Sequence, residues 1–148
     1  MTRPPGGARL LLAGLIATAT VWLVADAAGS GAARPTGGDA ANGAKLFARL
    51  PCSSCHDITH PWPGGPIAPN LGNIGTEAAR IVRSPEYHGK AKDAAGYIRE
   101  SIVDPNAYIV PGDSYRTDDG QSVMPKDFAQ TLRPSELDDL VAFLLAHR

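Results

Sequence analysis

The chain has 148 residues, enough for one modest domain, and is 43% hydrophobic but only 6% aromatic. Its 14 basic and 15 acidic residues leave a net charge of −1, which removes any electrostatic case for nucleic-acid binding. A domain this small buries a small core, so a bound apolar group would supply a centre that the chain lacks.

Residues 10–25 run without a charge, behind a start that carries Arg3 and Arg9. Such a stretch is a secretory signal or a single membrane anchor. Ala25-Asp26-Ala27 fits a small-residue cleavage site, which favours removal. Against this, the 16 uncharged residues at about 1.5 Å each reach about 24 Å, and flanking residues extend them toward a ~30 Å bilayer core. Both readings stay open. Residues 1–28 are therefore read as signal or anchor, 29–38 as a flexible tether rich in Gly, and 39–148 as the folded domain. Basic residues on the N-terminal side imply that this domain is extracytoplasmic, on the periplasmic side of the membrane.

Asp39 can cap a helix containing Ala40, Gly43, Ala44, Leu46 and Phe47, which ends near Pro51. Cys52-Ser53-Ser54-Cys55-His56 follows at once. The pattern C-x-x-C-H is that of c-type haem attachment: two thiols add across the vinyl groups and the adjacent imidazole binds the iron. A redox dithiol would open a helix after a strand, and no strand precedes Cys52. A zinc site needs about four ligands, and two cysteines with scattered histidines supply them only at unusual spacing. The four prolines and the Gly64-Gly65 pair in residues 57–70 make that stretch irregular.

Residues 77–83 are a short helical candidate and 84–92 a polar excursion. Residues 94–103 form a firmer helix with Ala94, Tyr97, Ile98, Ser101 and Ile102 on one face, stopped by Asp104-Pro105. Residues 106–126 are a second long irregular stretch, and loops of that length in a small domain are commonly functional. Met124 lies there, the chain's one methionine besides Met1. Pro125 holds it extended, which helps present a thioether at fixed geometry. Its rivals as a distal iron ligand are His60, His88 and His147. His60 is too near His56 in sequence, and His147 suits a helix C-terminus. His88 is the best competitor. The last helix covers about 134–146, with Leu137, Leu140, Val141, Leu144 and Leu145 on one side and Asp138 and Asp139 on the other. Pro134 suits its first turn, whereas Arg133 is a poor cap.

In this order the elements resemble a class I monohaem cytochrome c over 39–148. The resemblance implies an all-α fold: a small cytochrome c domain with crossing N- and C-terminal helices and long irregular loops around one haem. It implies thioether links at Cys52 and Cys55, and His56 as the proximal ligand. The Pro69 carbonyl would hold the other N–H of His56, and Met124 would be the distal ligand. Gly43 and Phe47 match the helix-crossing positions, with Phe143 as aromatic partner. The segment 105–115 is similar to cytochrome c domains associated with respiratory complexes, such as alternative complex III or oxidase subunit II. Trp62 is either a haem-edge cover or an exposed loop aromatic, and Tyr97, Tyr108 and Tyr115 are candidates to reach a propionate.

His/Met ligation leaves no open iron position and raises the potential relative to two histidines, which suits single-electron transfer. The expectation is a carrier with one covalent haem c and no enzyme activity of its own. It would relay electrons between respiratory or photosynthetic membrane complexes, as a shuttle or a stable subunit. A haem-based enzyme or gas sensor is the alternative and requires a labile Met124. A non-haem interaction domain stapled by a Cys52–Cys55 disulfide is a third class. From residue 39 on, 11 basic against 14 acidic side chains give a net of −3, so no strong lysine ring is present and steering should be modest.

Overall fold

The computed structural model describes residues 1–2 and 37–148. The segment 10–25, read as signal or anchor, lies outside the described residues, as does most of the tether. Among the described residues no helix is long and apolar enough to cross a membrane.

The described part is helical and contains no strand. α1 spans Ala40–Arg49, α2 Cys52–Cys55, α3 Ile74–Ile81, α4 Ala94–Val103, α5 Phe128–Thr131 and α6 Pro134–Leu145; a 3₁₀ turn covers Asp113–Tyr115. The all-α expectation holds.

α1 forms because Asp39 satisfies its first free donors, accepting from Ala41 N–H at 2.9 Å and Asn42 N–H at 3.1 Å. Gly43, Leu46 and Phe47 then fall on one buried face. The helix ends as Leu50 turns extended before Pro51. α6 begins with Pro134 at a position where a missing N–H costs nothing. Arg133 precedes it as an unfavoured cap, and Glu136 compensates, its carboxylate accepting from the Arg133 N–H at 3.1 Å and from the guanidinium at 2.9 Å.

α1 and α6 cross at Gly43. A Cβ there would lie 2.0 Å from the Asp139 carbonyl oxygen and 2.7 Å from Phe143 Cβ, so only glycine permits this approach. The Phe47 and Phe143 rings meet beside it, 5.6 Å between centroids. One expectation for α6 is overturned here. Asp139 is not on the solvent side but fully buried, 0% exposed. Its carboxylate accepts from the Asp39 N–H at 2.7 Å and from the Asn42 amide at 2.6 Å. The crossing helix covers the flank of α6 beyond its apolar stripe, and the N-terminus of α1 presents donors and positive dipole to a carboxylate. Asp138 does face outward, paired with Arg99 of α4.

α3 begins three residues earlier than 77–83, because Ile74, Ala78 and Ile81 are the residues that reach the core. Gly75 lets the start of α3 sit on the end of α6: a Cβ there would lie 2.4 Å from the Leu145 carbonyl oxygen, and the Gly75 N–H donates to the His147 carbonyl at 2.7 Å. α4 is capped by Asp93, which accepts from Gly96 N–H at 2.7 Å, and it buries Tyr97, Ile98 and Ile102.

Two irregular stretches, 57–73 and 104–127, close over what the helices leave open. The first is tied at its ends by Leu71 N–H to the Asp57 carbonyl at 2.7 Å and Gly72 N–H to the His60 carbonyl at 2.9 Å. The second folds back on itself through the Arg116 guanidinium, which donates to the Ile109 carbonyl at 3.0 Å and the Gly120 carbonyl at 3.2 Å. The polar excursion is only partly solvated: Tyr87 packs edge-on against Tyr97 and Tyr108.

Candidate haem-binding cavity

The helices and both irregular stretches enclose a cavity of about 1280 Å³, counting its open mouth. Phe47, Leu140 and Leu144 from the crossing helices and Ile98 and Ile102 from α4 form its apolar back. No Asp, Glu, Lys or Arg is among the described residues that line it.

Cys52, Cys55, His56, Pro69 and Met124 all stand on this one cavity. α2 is a single helical turn, so Cys52 and Cys55, three apart, share its inner side. They are not joined to each other. Burial pushes the Cys52 thiol up. His56 ends this turn, its N–H donating to the Cys52 carbonyl at 3.0 Å. Its Nδ1 donates to the Pro69 carbonyl at 2.7 Å. That fixes the tautomer and leaves the Nε2 lone pair available, the arrangement metal-bound imidazoles need. Burial lowers the imidazole pKa, with the Pro69 bond opposing it, which favours the neutral ring.

Met124 comes from the second irregular stretch. Ser122 anchors it: the buried Ser122 hydroxyl accepts the Met124 N–H at 3.2 Å, and the Ser122 N–H donates to the Asn106 side chain at 2.8 Å. The other histidines lie away from the cavity lining. His60 is exposed, Nδ1 2.7 Å from an Asp57 carboxylate oxygen. His88 borders a separate surface cleft with Glu86 and Arg116. His147 packs edge-on against Phe143, 4.7 Å between ring centroids.

Trp62 lines the cavity half-buried, and its backbone N–H donates to the Asn73 side-chain oxygen at 2.7 Å. Tyr97, Tyr108 and Tyr115 line it too. The Tyr115 hydroxyl donates to the Gly64 carbonyl at 3.1 Å, bracing the proline-rich loop. Burial pushes Tyr97 up to about 12. Ser122, Asn106, Ile67, Val123 and Phe128 are residues that periodicity does not reveal, because loop and single-turn positions carry none.

The residues fit a covalent haem: two thiols on one turn at the cavity edge, a neutral imidazole with a free Nε2, a thioether from another segment, and uncharged walls. Zinc does not fit, since no group of three or more His, Cys, Asp or Glu among the described residues could hold a metal. The family model described as cytochrome c matches residues 40–148. Among curated proteins none matches the chain.

Proposed function

This chain belongs to the cytochrome c family, a family of haem-based electron carriers with covalent haem c, and we propose that it relays single electrons between membrane redox complexes with His56 and Met124 as axial ligands. One observation carries the ligand assignment. Among the described residues, His56 is the one imidazole and Met124 the one thioether on the cavity lining. The haem supplies a one-electron centre when bound there. Pro69 holds the Nδ1 proton of His56, and Ser122 holds the backbone of Met124. Apolar walls exclude water and keep other charges away. With both faces ligated, neither oxygen nor a substrate would find an open position, and electron transfer is what remains.

The uncharged segment 10–25 supports an extracytoplasmic setting, secreted or tethered. Tethering or stable subunit membership would replace steering with high local concentration. The test is carbon monoxide added to the reduced holoprotein. The carrier reading expects slow and incomplete binding; rapid, complete binding would mean a labile distal ligand and a haem enzyme or gas sensor. Met124→Ala should abolish the weak near-infrared charge-transfer band, and an unchanged band would place the ligand elsewhere.

A further inference from the structure

A second cleft shares a wall with the haem cavity: Tyr108 and Ile109 line both. It holds about 830 Å³, counting its open mouth. Glu86, His88, Asn106 and Arg116 bring polar groups to it, beside the apolar surface of Tyr108 and Ile109. These groups are held in place. Tyr87, between Glu86 and His88 in the chain, packs edge-on against Tyr97 and Tyr108, 5.8 and 5.3 Å between ring centroids. Its hydroxyl donates to the Glu100 carboxylate. The His88 ring stands edge-on to Tyr108, 6.3 Å between centroids. The Ile109 and Gly120 carbonyls fix the Arg116 guanidinium, and the Ser122 N–H fixes the Asn106 side chain.

The charges decide what fits. A bare anion would face Glu86, and a bare cation would face Arg116. A metal ion would find only Glu86 and His88, fewer ligands than it needs. A neutral ring with O–H groups suits every wall. Its face lies on Tyr108, and its hydroxyls donate to the Glu86 carboxylate and accept from Arg116. The shared wall also sets such a ring one aromatic side chain away from the haem cavity. A phenolic oxygen must lose its proton as its electron leaves, so a carboxylate facing the O–H is the group this step requires. Resting on the carrier reading, we infer that the cleft binds a small hydroxylated aromatic, a hydroquinone ring, and takes electrons from it. The O–H bond breaks and its proton goes to Glu86. One electron crosses the Tyr108 wall and reduces iron(III) to iron(II) in the haem. The donor leaves as a neutral radical, and two such radicals disproportionate to one quinone and one hydroquinone. In sum one hydroquinone gives up two electrons and two protons, and two protein molecules are each reduced once.

Stopped-flow reduction of the oxidised holoprotein by hydroquinone is the test, and its rate should saturate with donor concentration. Glu86→Gln and His88→Ala change exposed side chains, so both variants keep the fold. Each should lower the second-order rate about fivefold while the visible spectrum stays unchanged. Hexaammineruthenium(II), which has no hydroxyl proton to give up, should reduce both variants at the wild-type rate. Resorcinol, which forms no quinone, should bind the oxidised holoprotein saturably in calorimetry, about fivefold more weakly after Glu86→Gln. A decyl-tailed hydroquinone separates the sources: saturation at lower concentration supports the cleft with a membrane quinol as donor. Equal or weaker saturation supports it with a soluble donor. A rate that stays linear in hydroquinone, wild-type rates in both variants, or no saturable resorcinol binding would overturn the cleft. If hexaammineruthenium(II) still reduces the protein in that case, the carrier reading stands and the cleft alone falls. Failure of that reagent to give one-electron reduction would sink the carrier reading and the cleft with it.

Discussion

Gly43→Ala tests the helix crossing directly. The added Cβ would sit 2.0 Å from the Asp139 carbonyl oxygen, a backbone atom that cannot rotate away. Real Cβ contacts do not fall below 3.0 Å, so α1 and α6 must part by about 1 Å locally. The bonds from the Asp39 N–H at 2.7 Å and the Asn42 amide at 2.6 Å to the Asp139 carboxylate then stretch beyond good hydrogen-bond range. Overpacking costs about 1–3 kcal/mol, and weakening two hydrogen bonds to a buried charged group adds about 1–3 kcal/mol. Alanine returns about 0.5–1 kcal/mol of helix preference. The net is a loss of about 1–5 kcal/mol. Urea unfolding of the holoprotein, followed by far-ultraviolet circular dichroism, reads it as a midpoint lowered by about 0.5–2.5 M at an ordinary slope. A variant within about 0.5 kcal/mol of wild type would refute the close-packed crossing.

Two further outcomes concern the loop and the acid limb. Ser122→Ala removes the acceptor of the Met124 N–H, so on the proposed His56/Met124 ligation exogenous imidazole should bind the holoprotein about fivefold more readily; an unchanged imidazole affinity would mean that Ser122 does not position Met124. The Arg133 guanidinium and backbone N–H hold the Glu136 carboxyl down at about 2, from 4.5. A depressed carboxylate stabilises above its unfolded pKa and loses that contribution as pH falls through the folded value. Unfolding midpoints of wild type and Glu136→Gln should therefore differ at pH 5 and converge toward pH 2, and a gap that persists at low pH would refute the assignment.

Much of the fold was legible because it is local. Asp39 opens α1, Asp104-Pro105 stops α4, and apolar spacing marks α4 and α6, so caps, breakers and period carried those elements. α3 starts at Ile74, ahead of the 77–83 candidate, because Ile74 reaches the core and Gly75 sits where the end of α6 presses close. α2 and α5, at four residues each, are too short to show a period. Asp139 misled because a carboxylate beside an apolar stripe is ordinarily solvated, and only the neighbouring helix reverses that.

The sequence alone determined the attachment motif, the order of the longer helices and the charge balance, since each is written in adjacent residues or in a period of 3.6. Only the tertiary structure decided that Asp139 is buried, that Ser122 and Asn106 brace Met124, and that Ile67 and Val123 from separate irregular stretches line one cavity. The physical reason is that periodicity orients a side chain about its own helix axis. What covers that side chain, or leaves it bare, is set by elements distant in the chain.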